Sequence, residues 1–338
     1  MSARGILPPH ILNAIIRNGT PAQRRRALAT LGVSERLRGR REVLALTLVP
    51  VPAGRKRRTV YDAGHSTRLP GSLVRGEGDP ESADVAVNEA YDGAGSTYDL
   101  YFDEYGRNSI DGRGMRIDST VHYGVAYDNA FWDGAQMVYG DGDGELFERF
   151  TISIDVIGHE LTHGVTDSEA ALEYHDQPGA LNESFSDVFG SLVKQRQRQQ
   201  TAAEADWIIG EGLFTAKVRG VGLRSLKAPG SAYSDPILGN DPQPAHMDRY
   251  DSSPEDNGGV HVNSGIPNHA FYLAAIAIGG FAWEKAGRIW YAALTERLRP
   301  NSDFAGAAKA TETAAGEIFG SGGAEQKAVR DAWRRVGL

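Results

Sequence analysis

Two histidines stand four residues apart in a helical pattern, and a glutamate opens the next helix twenty residues after the second of them, a combination that restricts this chain more than any bulk property. His159-Glu160-Leu161-Thr162-His163 lies in the run Ile152 to Val165, whose spacing of apolar residues predicts a helix. A step of four stacks both imidazoles on one face about a turn apart, which suits two nitrogen ligands on a tetrahedral metal. Glu160 lies on the neighbouring edge, where its carboxylate reaches a water on the metal rather than the metal, as a general base must. The alternative is two surface imidazoles flanking a solvated acid, and it predicts no third ligand nearby. Glu183, in Asn182-Glu183-Ser184-Phe185-Ser186-Asp187, contradicts it. A helix, a loop and an antiparallel helix can bring Glu183 opposite the imidazoles. Asp187, one turn on, can accept from a ring N–H and hold its tautomer. Two nitrogens, a carboxylate and a water describe an open, catalytic zinc site.

Charge divides the chain at about residue 58. Residues 1–58 hold 13 Arg or Lys against Glu35 and Glu42, a net of +11, and residues 59–338 then carry −19 of the total of −8. The 280 downstream residues suffice for two lobes with a core, and the upstream segment is marginal for folding alone. With no Cys, disulfides, thiolate catalysis and Cys-ligated zinc are excluded. The longest apolar stretch, Ala270 to Trp283, is shorter than the roughly 20 residues of a spanning helix and reads as a buried helix, so no membrane partner is expected. Pro8, Pro9, His10 and Asn13 interrupt the place of an apolar leader. With no recognisable signal peptide, the expectation is a cytoplasmic chain or one secreted by a non-classical route.

Thr20-Pro21-Ala22-Gln23 reads as a capping box opening a helix to about Leu31, Glu42 to Val51 as a strand, and Arg55 to Arg58 as a tetrabasic run. That run is a solvated turn, a linker or processing site, or a nucleic-acid arm. The acidic body would repel phosphate, so no nucleic-acid partner is expected. Residues 59–150 alternate short β-like runs, among them Thr97 to Phe102 and Gln136 to Tyr139, with turns and a helical Ala83 to Gly93. Helices follow over Ile152 to Val165, Ala180 to Arg196, Asn263 to Ile278, Phe281 to Leu298, Phe304 to Phe319 and Gln326 to Val336. Between them Gly210 to Asn257 is long and irregular, as functional loops are.

HELTHGVTD (159–167), GALNESFSD (179–187), NAFWDG (129–134) with MVYGDGDG (137–144), and DNGGVHVNSGIPNHAFY (256–272) resemble the motifs of the thermolysin family of neutral metalloendopeptidases, in order and spacing, over about 59–338. The resemblance implies an α+β, two-lobed fold: a β-rich lobe (59–168) ending in the zinc helix and a mainly helical lobe (169–338), with the site in the cleft. It implies one zinc ion on His159, His163 and Glu183, Glu160 as catalytic base, and Asp187 and Asn182 behind the ligands. It further implies His261 and Tyr174 as donors to the oxyanion, Asp256 orienting His261, Arg224 on the substrate carbonyl next to the scissile bond, and Asn129 and Ala130 on substrate backbone. Phe147, Phe150, Val156, Ile209, Leu213 and Leu223 match the pocket after the scissile bond. All are apolar, and cleavage before bulky hydrophobic residues of protein or peptide substrates is expected. The rival is a catalytically silent protein that keeps the fold to bind a partner.

Two departures matter. Asp155, Asp206 and Glu211 match a calcium cluster beside the zinc helix, but Lys194 and Ile208 stand where acids are expected and Val221 where a further calcium-binding Asp is expected. An ammonium among carboxylates competes with a divalent cation, so Lys194 is expected to replace that double calcium site; calcium elsewhere stays open. The front end, with Gly5-Ile6-Leu7-Pro8-Pro9-His10-Ile11-Leu12, is similar to the short prosegment of the protealysin-like branch. Residues 1–58 are then an intramolecular inhibitor of a monomeric zymogen, docked by opposite charge, and the tetrabasic run lies near the processing bond. His10 either reaches the metal or sits on the surface beside the Pro-Pro turn.

Overall fold

A computed structural model describes residues 5–41 and 54–338, with the backbone alone for 34–41; the strand expected over Glu42 to Val51 lies outside the described residues. The N-terminal part forms α1 (Pro9–Asn18) and α2 (Pro21–Arg41). The capping box is present: Gln23 N–H donates to Thr20 Oγ1 and Thr20 N–H to Gln23 Oε1, at 3.3 and 2.8 Å. The helix runs well past Leu31, where sequence alone ended it.

The β-rich lobe holds one mixed sheet in the order β2-β1-β3-β5-β4, from β1 (Arg58–Asp62), β2 (Ser72–Gly76), β3 (Ile117–Val121), β4 (Ala130–Trp132) and β5 (Met137–Tyr139). β4 pairs only with β5, Ala130 opposite Tyr139, and so leaves a free edge beside the cleft. Helix α3 (Val85–Asp99) crosses the sheet and continues as a π-helical turn over Leu100–Glu104. This corrects two expectations, a helix closing at Gly93 and a strand over Thr97 to Phe102. Gly93 is a packing glycine, since a β-carbon there would collide with Ile157 of the zinc helix. Tyr101 overrides its β-propensity by packing on Phe189 with centroids 5.4 Å apart and hydrogen-bonding Thr162 at 2.8 Å.

The tetrabasic run is not a free turn. Lys56 pairs with Asp99 (2.6 Å), Arg58 with Glu77 (2.6 Å), and Arg57 Nη2 donates to Gly114 O (2.6 Å), so three of its four side chains are bound to the acidic body.

Helix α4 (Ile154–Ser168) packs side by side with α5 (Asp176–Arg198) at the junction with the helical lobe, which continues through α6 (Asp256–Asn263), α7 (Gly265–Ile278), α8 (Ala286–Ala292), α9 (Phe304–Phe319) and α10 (Ala324–Arg335). The helix expected from Phe281 starts only at Ala286 and ends in a π-helical turn over Ala293–Arg297. Residues 210–257 are mostly irregular, with a two-residue strand β7 (Arg224–Ser225) pinned antiparallel to β6 (Ile208–Ile209). Among the described residues no helix is long and apolar enough to cross a membrane.

Candidate metal centre and substrate cleft

Glycine sets the distance between α4 and α5. A β-carbon on Gly158 would stand 3.0 Å from Gly190 Cα, and one on Gly190 would strike the Asp155 carbonyl. The close approach brings Glu183 over the rings, Oε2 at 3.4 Å from His159 Nε2 and Oε1 at 3.6 Å from His163 Nε2. The two Nε2 atoms are 3.1 Å apart, and all three side chains are buried.

Chemistry at the far nitrogens shows what this arrangement needs. His159 Nδ1 lies 2.8 Å from Asp187 Oδ1 and His163 Nδ1 2.7 Å from Asn182 Oδ1, whose amide is oriented by donating to Leu172 O at 3.3 Å. Those oxygens only accept, so both Nδ1 atoms donate, and each Nε2 is the nitrogen that can offer a lone pair to a cation. Glu183 Oε2 stands beside them, buried and without a hydrogen-bond donor. Buried acceptors converging on one point repel each other until a cation stands among them. Two imidazoles and a carboxylate fit zinc with a position left open. Among the described residues this is the one such cluster, its ligand atoms within 4.8 Å of one another.

Asp187 does more than orient a ring. It also accepts from Arg224 Nε and Nη2 at 2.9 and 2.8 Å and from Asn268 Nδ2 at 2.8 Å. Burial pushes its carboxyl up, but Arg224 and His159 outweigh burial and hold it at about 2. Glu183, also raised by burial, is held well below the usual range by His261, His163 and His159.

Glu160 is buried one residue after the first ring, its Oε2 accepting from Trp132 N–H at 2.9 Å. The Tyr174 hydroxyl hydrogen-bonds Glu183 Oε1 and lies 3.3 Å from His261 Nε2. Asp256 accepts from His261 Nδ1 at 2.9 Å and from its backbone N–H at 3.0 Å. That double contact needs a tight curl: φ is +52°, +54°, +83° and +71° at Asp256, Asn257, Gly258 and Gly259, and a β-carbon on Gly258 would strike the Asp176 carboxylate. Burial lowers the His261 pKa, and the Asp256 and Glu183 carboxylates raise it above its ordinary value on balance.

The N-terminal segment fills the cleft. Ile6 N–H donates to Ala130 O at 3.1 Å, Leu7 N–H to Asn129 Oδ1 at 3.0 Å, and Arg224 Nη1 to Ile6 O at 3.1 Å. Ile6, Leu7, Ile11, Leu12 and Ile15 are buried in one continuous apolar cluster with Phe147, Phe150, Val156, Ile209, Leu213 and Leu223. His10 is neither on the metal nor on the surface side of the turn: its Nε2 lies 2.9 Å from the Tyr233 hydroxyl. Burial, with help from His261 and Arg224, lowers its pKa to about 4.

On the other end of the α4–α5 pair, Lys194 Nζ lies 2.8 Å from both Asp155 and Asp206 and donates to Ile208 O. Glu211 is paired instead with Arg198, at 2.8 Å. Residues that sequence alone missed are Trp132, Asn268 and Tyr233. Trp132 acts through its backbone, which carries no residue-type signal, and Asn268 lies within the 256–272 motif without a role assigned to it.

Residues 53–167 match the thermolysin metallopeptidase catalytic domain and residues 170–338 the thermolysin metallopeptidase alpha-helical domain. The chain belongs to the thermolysin family of metallopeptidases. It is 51% identical over 334 residues to an extracellular metalloprotease of Pectobacterium carotovorum, spanning 98% of this chain and 96% of that one. It is 41% identical over 314 residues to the extracellular minor metalloprotease of Serratia marcescens, spanning 89% and 86%. A solved precursor of protealysin, a metalloproteinase from Serratia proteamaculans, superposes with a TM-score of 0.92 at 53% identity, covering 99% of this chain and 100% of that one. This thermolysin-family chain is accordingly a protealysin-like zinc neutral endopeptidase made as a precursor. The names of the first two relatives overturn the expectation of a cytoplasmic chain, since both are called extracellular.

Proposed function

We propose that the precursor, with residues 1–58 as prosegment and 59–168 and 169–338 as the two lobes, matures into an extracellular endopeptidase that cuts before bulky hydrophobic residues. The observation that carries this reading is the convergence of His159 Nε2, His163 Nε2 and Glu183, with each far Nδ1 set against an acceptor oxygen.

His159, His163 and Glu183 hold one zinc ion, which when bound supplies Lewis acidity toward a peptide carbonyl and acidifies water. Glu160, held by Trp132, takes the proton of the attacking water and later passes it to the leaving amine. His261 and Tyr174 donate to the oxygen on which charge develops, and Asp256 keeps the His261 proton pointed there. Arg224, braced by Asp187, holds the carbonyl next to the scissile bond, while Asn129 and Ala130 receive substrate backbone as an added edge strand. The prosegment blocks this cleft in the manner of a substrate, Ile6 standing where the residue after the scissile bond belongs. The processing bond lies before Lys56, because Lys56 to Arg58 are tied to the body. Lys194 fills the double calcium position beside the zinc helix.

Purified precursor is incubated with a protein substrate, with and without a zinc chelator, and fragments and new N-termini are read by mass spectrometry. Cleavage before Leu, Ile and Phe that stops with chelator, together with loss of the basic N-terminal segment, is the expected result. Fragments insensitive to chelation, or cuts before charged residues, would refute it.

A further inference from the structure

Numbering along the prosegment rises as numbering along the sheet edge falls. Ile6 bonds Ala130 and Leu7 bonds Asn129, so the next position down the edge is Asp128. Asp128 is only 2% exposed; its carboxyl accepts from the Asp143 backbone N–H, and its Oδ1 has no hydrogen-bond partner. Facing it is Asp143, on the loop after β5. Asp143 Oδ1 is fixed by the N–H groups of Glu145, Leu146 and Phe147 at 2.9, 2.7 and 3.2 Å. Its Oδ2 is left for Arg26 of α2, whose Nη1 reaches it at 3.1 Å and Glu145 Oε2 at 3.3 Å.

Two acidic side chains thus hold one guanidinium and a third lies behind them: the Asp143 side chain is 1% exposed, and the Asp128 Oδ1 beside it has no hydrogen-bond partner. Burial first, then the charge of Asp143, push the Asp128 carboxyl up to about 8 against the pull of Arg26. Arg26 belongs to the prosegment and departs with it, uncovering the Asp143 carboxylate, with the Asp128 carboxyl beside it as a buried acceptor one step beyond the backbone-binding edge. Structural carboxylates are ordinarily paired from within their own domain; these are paired by a segment that stands in a substrate's place.

We propose that Asp128, Asp143 and Glu145 form a subsite of the mature enzyme for the arginine or lysine side chain of a peptide substrate, two to four residues beyond the scissile bond. The proposal rests on the endopeptidase reading above, in which Ile6 marks the first residue after that bond. Arg26 occupies the subsite in the precursor and keeps it closed.

Processed enzyme from the full-length precursor is given peptides of one sequence, with Phe after the scissile bond and Arg, Gln or Glu placed in turn at the second, third and fourth positions beyond it. At one position the Arg peptide is cut with kcat/KM about tenfold above its Gln twin, mostly through KM, and the Glu peptide is poorest; the advantage shrinks with salt. In Asp143→Asn, which keeps the oxygen that accepts from the backbone, the Arg-to-Gln ratio falls to near one, and Glu145→Gln lowers it partway. The ratio is internal to each preparation, so a general loss of activity does not imitate the effect. Equal cleavage of Arg and Gln peptides at all three positions, or a ratio untouched by both variants, overturns the subsite. Failure to cut even the Gln peptides strikes the endopeptidase reading instead.

Discussion

The α4–α5 pair carries two cation positions one helical turn apart on α4, and they are solved in opposite ways. At His159, His163 and Glu183 the protein contributes acceptors alone and leaves the centre for a metal. At Asp155 and Asp206 it contributes the cation as well, as the Lys194 ammonium. An ammonium on a carbon stem cannot leave and offers no open position, so it can only stabilise. A metal held by three ligands keeps a site for chemistry. The difference extends to the surroundings: Lys194 is closed over permanently, while the cleft at the triad is covered by a prosegment that is held by a few backbone bonds and an apolar cluster.

The largest effect tests the open side. Glu160→Gln in processed enzyme lowers kcat by about 10²- to 10⁴-fold, with zinc content by metal analysis unchanged; activity near the parent's would break the assignment of Glu160 as base. On the closed side, Lys194→Met leaves Asp155 buried with no cation and costs about 3–5 kcal/mol in urea unfolding. The parent's Tm barely moves with millimolar calcium, whereas Lys194→Glu, by restoring an acid, makes Tm rise with calcium. A parent Tm that climbs steeply with calcium, and stops doing so once Asp155, Asp206 and Glu211 are replaced, would erase the contrast.

Next comes the removable cover. His10 has an ordinary pKa of 6.5 when free and about 4 when docked. Docking therefore favours the neutral ring, is at full strength above pH 6.5, and weakens as pH falls, by about 2 kcal/mol at pH 5. Latent activity, assayed after brief exposure to each pH, should be released toward pH 5 in the parent and much less in His10→Gln; identical profiles would show that His10 does not sense the step. Smallest is Arg26→Gln, part-exposed and screened by solvent, which weakens docking by up to about 1 kcal/mol at low salt and by nothing measurable at high salt. The contacts weigh against docking by bulk charge: three of the four side chains in the tetrabasic run bind the body itself, and the described contacts of the prosegment with the cleft are mainly backbone and apolar.

The chemistry-bearing residues were legible because their types and spacing are fixed by bonding geometry that a helix imposes. His159, His163, Glu183 and Asp187 needed only the helical repeat and a turn between helices; Lys194 needed only its charge among acids. Less was legible where a contact is made by backbone, as with Trp132 N–H on Glu160, or by a partner distant in the chain, as with Asn268 on Asp187 and Tyr233 on His10. Gly93 read as a stop and Thr97 to Phe102 as a strand because local propensity cannot see Ile157 or Phe189 across an interface. By itself the sequence pointed to the grouping of His159, His163 and Glu183 and to the charge of Lys194 among acids. Only the tertiary structure decided which nitrogen of each ring faces inward, where the prosegment lies in the cleft and which acids Arg26 covers, since these depend on groups brought together by packing rather than by spacing along the chain.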